Sequence, residues 1–275
     1  MRDIWMRILV FVGLLAGFGL GEGPQATLPN LVPQVVPPPD FPTELAELEG
    51  LHDAGRYREV YEKALARKDA WGYVLASYAA TNYARYQASD KERQDWFRRA
   101  ADAAREAIKL APGQKGTPSL NAGVEAKAYF ALGQALGRYV QYAGLFTQAL
   151  LVNQIRSAFS KAIELAPDFP DPKIGMALWH AEGVARNICL IFGCRRDQVQ
   201  VFLNAAEAQR SNSKRVILGY VDGGYANLLI NDLKEAERSL TTALSLTPKT
   251  AEDYYEQERA KGLMEELKRR KGGSR

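Results

Sequence analysis

Residues 155–167, IRSAFSKAIELAP, contain the pattern that decides the fold. Ile155, Phe159 and Ala162 are separated by steps of four and three residues, which places their side chains on one face of an α-helix. Pro167 follows five residues later, and proline stops a helix because it lacks a backbone N–H and clashes with the preceding turn. The stretch therefore predicts a helix that ends near Pro167 and packs this face against a neighbour.

The same spacing occurs three more times along the chain. The other sets are Ala100, Ala104 and Ala107 before Pro112; Val199, Leu203 and Ala206, with Ser211 in the place of the proline; and Ala236, Leu240 and Ala243 before Pro248. After Thr43 there is no sustained alternation of polar and apolar residues of the kind that marks strands. Four occurrences of one helical pattern predict an all-α array of repeated units.

This pattern resembles the second helix of the tetratricopeptide repeat, a unit of two helices. The first-helix half of that repeat is most evident at Tyr129, Leu132, Gly133 and Leu136, and Gly55, Tyr57 and Val60 indicate a degenerate first unit. The resemblance implies an irregular, right-handed solenoid of five helical hairpins. Successive units lie 37 to 55 residues apart, more than the usual repeat length of about 34 residues.

The solenoid is predicted to span residues 43–271, followed by a short tail, 272–275. Two insertions explain the long spacings, a polar one at residues 89–95 and an apolar one at residues 139–154. We expect the apolar insertion to form extended helices that pack over the side of the solenoid. Residues 251–270 predict a charged helix that caps the last apolar face, through Tyr254, Leu263 and Leu267.

From residue 43 to about residue 263 the chain also resembles a set of exported bacterial proteins with tetratricopeptide repeats. The shared stretches are AYFALGQALGRY, FSKAIELAPDFPDPKIGMALWHAE and TPKTAEDYYEQERA. This resemblance implies the fold and a location outside the cytoplasm, and nothing about chemistry. A weaker resemblance is to the T component of tripartite ATP-independent periplasmic transporters, which builds similar hairpins around an inner cavity but typically carries a lipid anchor on a cysteine that this chain lacks.

The first 42 residues predict an export signal and a linker. Basic residues precede an uncharged run of thirteen apolar residues, Ile8 to Leu20, which is too short for an ordinary membrane-spanning helix. Residues 1–23 are therefore predicted to be a signal peptide, or a signal anchor if it is not cleaved. Seven prolines fall within residues 24–42, which predicts an extended linker, with a proline-rich ligand as the alternative. The body of the chain is expected in the periplasm, in the cell envelope or outside the cell.

The composition argues against several classes of function. Of the 275 residues 47% are hydrophobic and 25% are charged, as in an ordinary globular protein. The 36 Lys and Arg against 32 Asp and Glu give a net charge of +4, too small to indicate a nucleic-acid partner. The chain has two His and two Cys and lacks the common nucleophile, phosphate-loop and zinc-protease motifs, so we expect no enzyme activity, no cofactor and no metal site.

The two cysteines, Cys189 and Cys194, are close in sequence. In an oxidising compartment, two otherwise lone cysteines at this spacing favour a disulfide across a turn. Two buried free thiols are the alternative.

Five polar side chains form the candidate binding site: Gln134, Arg138, Gln141, His180 and Glu182. The first three lie on or just after the first helix of the third predicted hairpin, and the other two lie on the first helix of the fourth. First helices line the concave surface of such arrays, so we expect the five to share one groove. An Arg138–Glu182 ion pair that only fixes the packing register is the alternative. For His180, the alternative is an imidazole satisfied within a helix interface.

Two functions follow from these observations. The first is a non-enzymatic scaffold that binds a protein or peptide partner outside the cytoplasm. The second is a small-ligand-binding or transporter-accessory protein with a pocket inside the solenoid. We expect no nucleic-acid partner, and membrane attachment only through an uncleaved N-terminal signal.

Overall fold

The computed structural model describes residue 28, residues 45–111 and residues 118–272. The predicted signal peptide, the predicted linker apart from Leu28, and tail residues 273–275 lie outside the described residues. Within the described part of the chain the secondary structure is helical throughout, without a β-strand, which confirms the all-α prediction. None of the described helices is both long enough and apolar enough to cross a membrane.

The described residues form twelve α-helices and two short 3₁₀-helices. In chain order the α-helices are α1 Ala46–Asp53, α2 Tyr57–Ala66, α3 Ala70–Tyr86, α4 Asp90–Leu110, α5 Pro118–Tyr139, α6 Leu145–Leu165, α7 Asp171–Ala185, α8 Cys189–Phe192, α9 Arg196–Glu207, α10 Val216–Leu229, α11 Leu233–Ser245 and α12 Ala251–Gly272. The 3₁₀-helices are Val140–Tyr142 and Arg210–Asn212.

The helices pack as five successive pairs followed by α12. The pairs are α1 with α2, α3 with α4, α5 with α6, α7 with α9, and α10 with α11, while the four-residue α8 lies between the members of the fourth pair. The first helices of successive pairs also contact one another from α3 onwards, and α12 continues this row by packing on α10. The number of pairs equals the number of hairpins that the sequence predicts.

Local sequence signals set where two of the longest helices begin. At α4, Ser89 and Glu92 form a capping box, with the Ser89 hydroxyl donating to the Glu92 carboxylate at 2.6 Å. At α12, Asp253 accepts from the backbone N–H of Thr250 at 3.0 Å, and the Thr250 hydroxyl accepts from the Asp253 N–H at 3.2 Å. The predicted polar insertion at residues 89–95 is therefore the N-terminal part of a long helix.

The repeated pattern marks the buried faces of the second helices. Of its twelve positions all are buried except Leu203, which is half-buried. Phe159 of α6 packs against Gly133 of α5 and Gly175 of α7, where a Cβ atom would lie 2.6 Å from its ring in either case. The two glycines therefore permit the close approach of three helices around one phenylalanine.

The apolar insertion differs from the prediction. It forms the short 3₁₀-helix after α5 and the first turns of α6, where Phe146 and Leu150 are 82% and 66% exposed. These side chains point away from the body because the buried stripe of α6 runs through Leu151 and Ile155 instead. The prediction that this segment packs over the side of the helical array is therefore wrong at these two positions.

The last helix, α12, contacts both ends of the described chain. Its buried Ala260 and Leu267 pack in an apolar cluster with residues of α10 and α11, as expected of a helix that covers the last pair. Its first turns instead contact α1 and α3: Ala251 packs with Gly55, and Tyr255 stacks on Tyr86 with ring centroids 4.7 Å apart. The C-terminal helix thus joins the last pair to the first two.

Candidate functional site

Glu256 is the centre of a buried charged cluster beneath α12. Its side chain is fully buried and accepts hydrogen bonds from the Tyr86 hydroxyl at 2.5 Å, from Arg259 Nη1 at 2.9 Å and from Arg85 Nη2. Burial raises the pKa of this carboxyl, but the positive charges of Arg85 and Arg259 outweigh burial and hold it at about 2. Glu256 is therefore ionised at neutral pH.

Glu252 lies one turn earlier on α12 and forms a second part of the cluster. Both of its carboxylate oxygens accept from Arg215, with Nε at 2.9 Å, and Oε1 also accepts from the Asn82 amide at 3.1 Å. Burial raises the Glu252 pKa, while Arg215 lowers it below its usual value. Arg215 immediately precedes α10, so this pair attaches the start of α10 to α12.

A third carboxylate, Asp222 of α10, accepts from Arg259 Nη1 at 2.6 Å. The charged cluster thus consists of Arg85, Arg215, Asp222, Glu252, Glu256 and Arg259. Arg85 and Tyr86 precede Glu256 by 171 and 170 residues, so the cluster joins segments that are distant in sequence.

Two of the predicted site residues lie at the edge of this cluster. With its amide oxygen turned toward Arg215, Gln134 accepts from the two terminal guanidinium nitrogens at 3.0 and 3.3 Å. Arg138, one turn later on α5, forms no ion pair or hydrogen bond with any described residue. Burial lowers the Arg138 pKa, and the charges of Arg85 and Arg259 lower it further, to about 10.

The predicted Arg138–Glu182 ion pair is not formed. Glu182 instead accepts from Arg186 Nε at 3.0 Å and from the Tyr225 hydroxyl at 3.1 Å. Arg186 is the residue directly after α7, four residues beyond Glu182, and its Nε reaches the carboxylate from the end of the helix.

The other two predicted site residues lie elsewhere. Gln141 is exposed in the 3₁₀-helix after α5. His180 is buried, its Nδ1 accepts from the Arg195 backbone N–H at 2.9 Å, and its ring stacks on Phe202 with centroids 5.7 Å apart. The five predicted residues therefore do not share one groove, and His180 has the contacts of an imidazole satisfied between α7 and α9.

The buried His180 predicts a pH dependence of stability. Burial, together with the positive charges of Arg156 and Arg195 and against the opposing charge of Asp197, lowers its pKa from 6.5 to about 4. Between pH 6.5 and 4 the unfolded chain therefore binds more protons at His180 than the folded chain does. The contribution of the neutral His180 to the free energy of unfolding is fully present above pH 6.5 and is lost as the pH falls to 4. We expect a loss of up to roughly 3 kcal/mol over this window. Urea unfolding across the window should show a much weaker loss in His180→Gln, and an unchanged slope in that variant would contradict the assignment.

A disulfide closes the loop that follows α7. The Sγ atoms of Cys189 and Cys194 are bonded at 2.00 Å, and Gly193 between them has a φ of +74°, which glycine adopts without strain. Cys194 packs on Gly183 of α7, where a Cβ atom would lie 2.4 Å from its sulfur. The loop is therefore held against α7, while Leu190 at its tip is fully exposed and Ile191 is 61% exposed.

The residues of the charged cluster were not identified from the sequence. Their signal is weak but present: Glu252, Glu256 and Arg259 follow the spacing i, i+4, i+7 on one face of α12, as apolar core residues do. A periodic charged face that becomes buried requires oppositely charged partners, and these come from other helices.

The described surface contains shallow depressions. One of about 220 Å³ lies between α2, α3 and α4, and one of about 110 Å³ lies between α9, α10 and α11. Both are smaller than the roughly 300–1,000 Å³ of typical small-molecule sites. Among the described residues no three His, Cys, Asp or Glu side chains are grouped so as to hold a metal ion.

No family model matches the chain, and no curated protein matches it.

Proposed function

We propose that the protein is a non-enzymatic scaffold of tetratricopeptide-like hairpins, wound as a right-handed solenoid, that binds a protein partner outside the cytoplasm. The five helix pairs and the fourfold pattern on their second helices support the solenoid. The basic start and apolar run of the first 20 residues support export. The Cys189–Cys194 disulfide is the bond expected in an oxidising compartment.

The observation that carries the proposal is the apolar tip of the disulfide-closed loop. Leu190 and Ile191 expose large aliphatic side chains to water. Burial of this apolar surface against a partner would be favourable, and exposed apolar patches often mark binding sites. The disulfide and the packing of Cys194 hold the tip in one conformation before binding. A preorganised loop loses less conformational entropy on binding, which favours a specific contact.

A second apolar pair extends this surface. Phe146 and Leu150 are four residues apart on α6 and project from one face of the helix. Further along α6, the Arg156 guanidinium lies 5.3 Å from the ring centroid of Trp179 on α7, the helix that carries the loop. Arg156 also lies beside Gly193 of the loop, so α6 adjoins the loop, and we propose that the exposed pair forms a second part of the binding surface.

The charge around the tip supports an acidic partner. Residues 183–196 contain three arginines and no acidic residue. Arg186 and Arg195 are paired with Glu182 and Asp197, whereas the exposed Arg196 has no ion pair among the described residues. The proposed partner is therefore an acidic protein segment that also carries apolar side chains. The proposed partner does not bind beneath α12, because the charged cluster occupies the space between that helix and its neighbours α3 and α10.

A photo-reactive amino acid at position 190 of the full chain tests this proposal in cells. We expect crosslinks to one protein, at an acidic segment with apolar residues. A synthetic peptide of that segment should bind the wild-type protein, and Leu190→Ser with Ile191→Ser should weaken binding at least about tenfold. Leu110→Ser, at the end of α4, is the matched control and should bind normally. Crosslinks to lipid alone, or an unchanged affinity in the double variant, would refute a protein-binding tip.

The second candidate function is the binding of a small ligand inside the helical array. The observation that favours it is the guanidinium of Arg138, which forms no ion pair with any residue that the structure describes. The two surface depressions are small for such a ligand, so we propose a position beside the arginines of the charged cluster.

A further inference from the structure

We propose that the N-terminal part of the chain binds the helical array through Leu28, at the junction where α12 meets the turn between α1 and α2. We call this contact the Leu28 site and define it by Leu28, Gly55, Gln87 and Ala251. Its ligand is an apolar side chain of the chain itself, within the stretch that the sequence predicts as a linker. The proposal goes beyond both proposed functions and rests on neither.

Gly55 provides the backbone surface on which Leu28 lies. It follows the last turn of α1 with a φ of +80°, a conformation that glycine adopts without strain, and its N–H donates to the His52 carbonyl oxygen at 2.9 Å. A Cβ atom at this position would lie 2.8 Å from Ala251 Cβ and 3.3 Å from Leu28 Cδ1. The missing side chain therefore lets two apolar groups, one from α12 and one from the N-terminal part of the chain, approach the same turn.

The polar groups of this turn are already satisfied. The Gly55 carbonyl oxygen accepts from Gln87 Nε2, just after α3, at 2.8 Å, and the Arg56 N–H donates to the Leu51 carbonyl oxygen at 2.9 Å. An apolar side chain can therefore cover this backbone without leaving a buried polar group unpaired, which would be costly. The chemistry of the turn thus favours a ligand such as leucine.

Leu28 also packs against the apolar core of the first two helix pairs. The side chain is half-buried, and the cluster that it joins includes Tyr57 and Ala251. Leu45, on the other side of residues 29–44, is fully buried in the same cluster. A linker that served only as a spacer would need no such contact, so Leu28 is a point of attachment within it.

This attachment limits the distance between the helical array and the predicted export signal. Leu28 lies eight positions after Leu20, the last residue of the apolar run, and an extended chain spans at most about 3.6 Å per residue. A signal that stays in the membrane as an anchor would therefore keep the Leu28 site within about 30 Å of that run, whereas attachment at Leu45 alone would permit about 90 Å. Because Leu28 follows the predicted signal, we expect the same contact in the cleaved protein.

The thermal midpoint of the exported protein measures whether Leu28 is bound. We expect Leu28→Ala to lower the midpoint by about 2–4 °C, because it exposes the apolar surface that Leu28 covers. Leu28→Met keeps an apolar side chain of similar volume and should stay within about 1 °C of the wild type. Leu190→Ala truncates a leucine that is fully exposed and is the matched control, with an equally small change. An unchanged midpoint in Leu28→Ala would refute the proposal.

A photo-reactive analogue of leucine at position 28 tests where this side chain binds. In dilute purified protein we expect crosslinks within one chain, to peptides that contain Gly55, Gln87 or Ala251. The same analogue at position 190 should give no crosslink to these peptides. Crosslinks from position 28 to other parts of the array, crosslinks only between two copies of the chain, or reaction with solvent alone would each overturn the Leu28 site.

Discussion

Replacing Glu256 with Ala is expected to lower the free energy of unfolding by about 3–5 kcal/mol. The variant leaves Arg85 and Arg259 buried without the carboxylate that they share, and Tyr86 without its acceptor. Breaking a buried pair costs more than the pair contributes as a whole, because the remaining charges keep their desolvation penalty. The substitution also removes the hydrogen bonds of Glu256 to Arg85 and Tyr86 of α3. We therefore expect α12 to pack less firmly against the first two helix pairs.

Urea unfolding measures this effect, with Glu258→Ala as the matched control. Glu258 lies on the same helix and pairs with the exposed Lys261, so its loss should cost at most about 1 kcal/mol. The pH dependence gives a second measure: the folded pKa of Glu256, about 2, lies below its ordinary value of 4.5. Its contribution is therefore present above pH 4.5 and lost as the pH falls toward 2. A loss below about 1 kcal/mol in Glu256→Ala would show that the charged cluster does not stabilise the fold.

Replacing Phe159 with Ala is expected to cost about 3–5 kcal/mol. Its ring fills the space between Gly133 and Gly175, so truncation opens a cavity between α5, α6 and α7 that no neighbouring side chain occupies. Phe146→Ala, on the same helix but 82% exposed, is the control and should change stability by less than about 0.5 kcal/mol.

A double-mutant cycle tests the geometry behind this prediction. In the wild type, Gly133→Ala should destabilise by about 1–3 kcal/mol, because its Cβ would lie 2.6 Å from the Phe159 ring. In the Phe159→Ala background the same change should be nearly neutral, since the ring that it meets is gone. Additive effects of the two substitutions would place Phe159 elsewhere.

The disulfide-closed loop and Arg138 differ in what the sequence reveals of them. The disulfide that closes the loop follows from local spacing, since Cys189 and Cys194 lie five positions apart, whereas the exposure of Leu190 at its tip is seen only in the structure. The charges that act on Arg138 are those of Arg85, Arg259, Asp222 and Glu256, which belong to three other helices. The sequence suggested Glu182 as the partner of Arg138, but Arg186, directly after α7, pairs with Glu182 instead.

The sequence by itself determined the helices, their pairing and their buried faces. The spacing of four and three residues repeats on α4, α6, α9 and α11, and it predicts their burial because side-chain direction on a helix depends only on local periodicity. Gly133, which belongs to the first-helix pattern, is one of the two glycines against which Phe159 packs. Such features depend on residues within a few turns of one another.

Only the tertiary structure decided where α12 packs and which charges it buries. Its charged face has the composition of a solvent-exposed surface, and the sequence suggested a helix that only covers the last pair. The structure places Glu252 and Glu256 against Arg215 and Arg85, the latter about 170 residues earlier in the chain. A charged side chain is stable in water or beside an opposite charge, and local sequence does not distinguish the two, because the partner is supplied by the path of the whole chain.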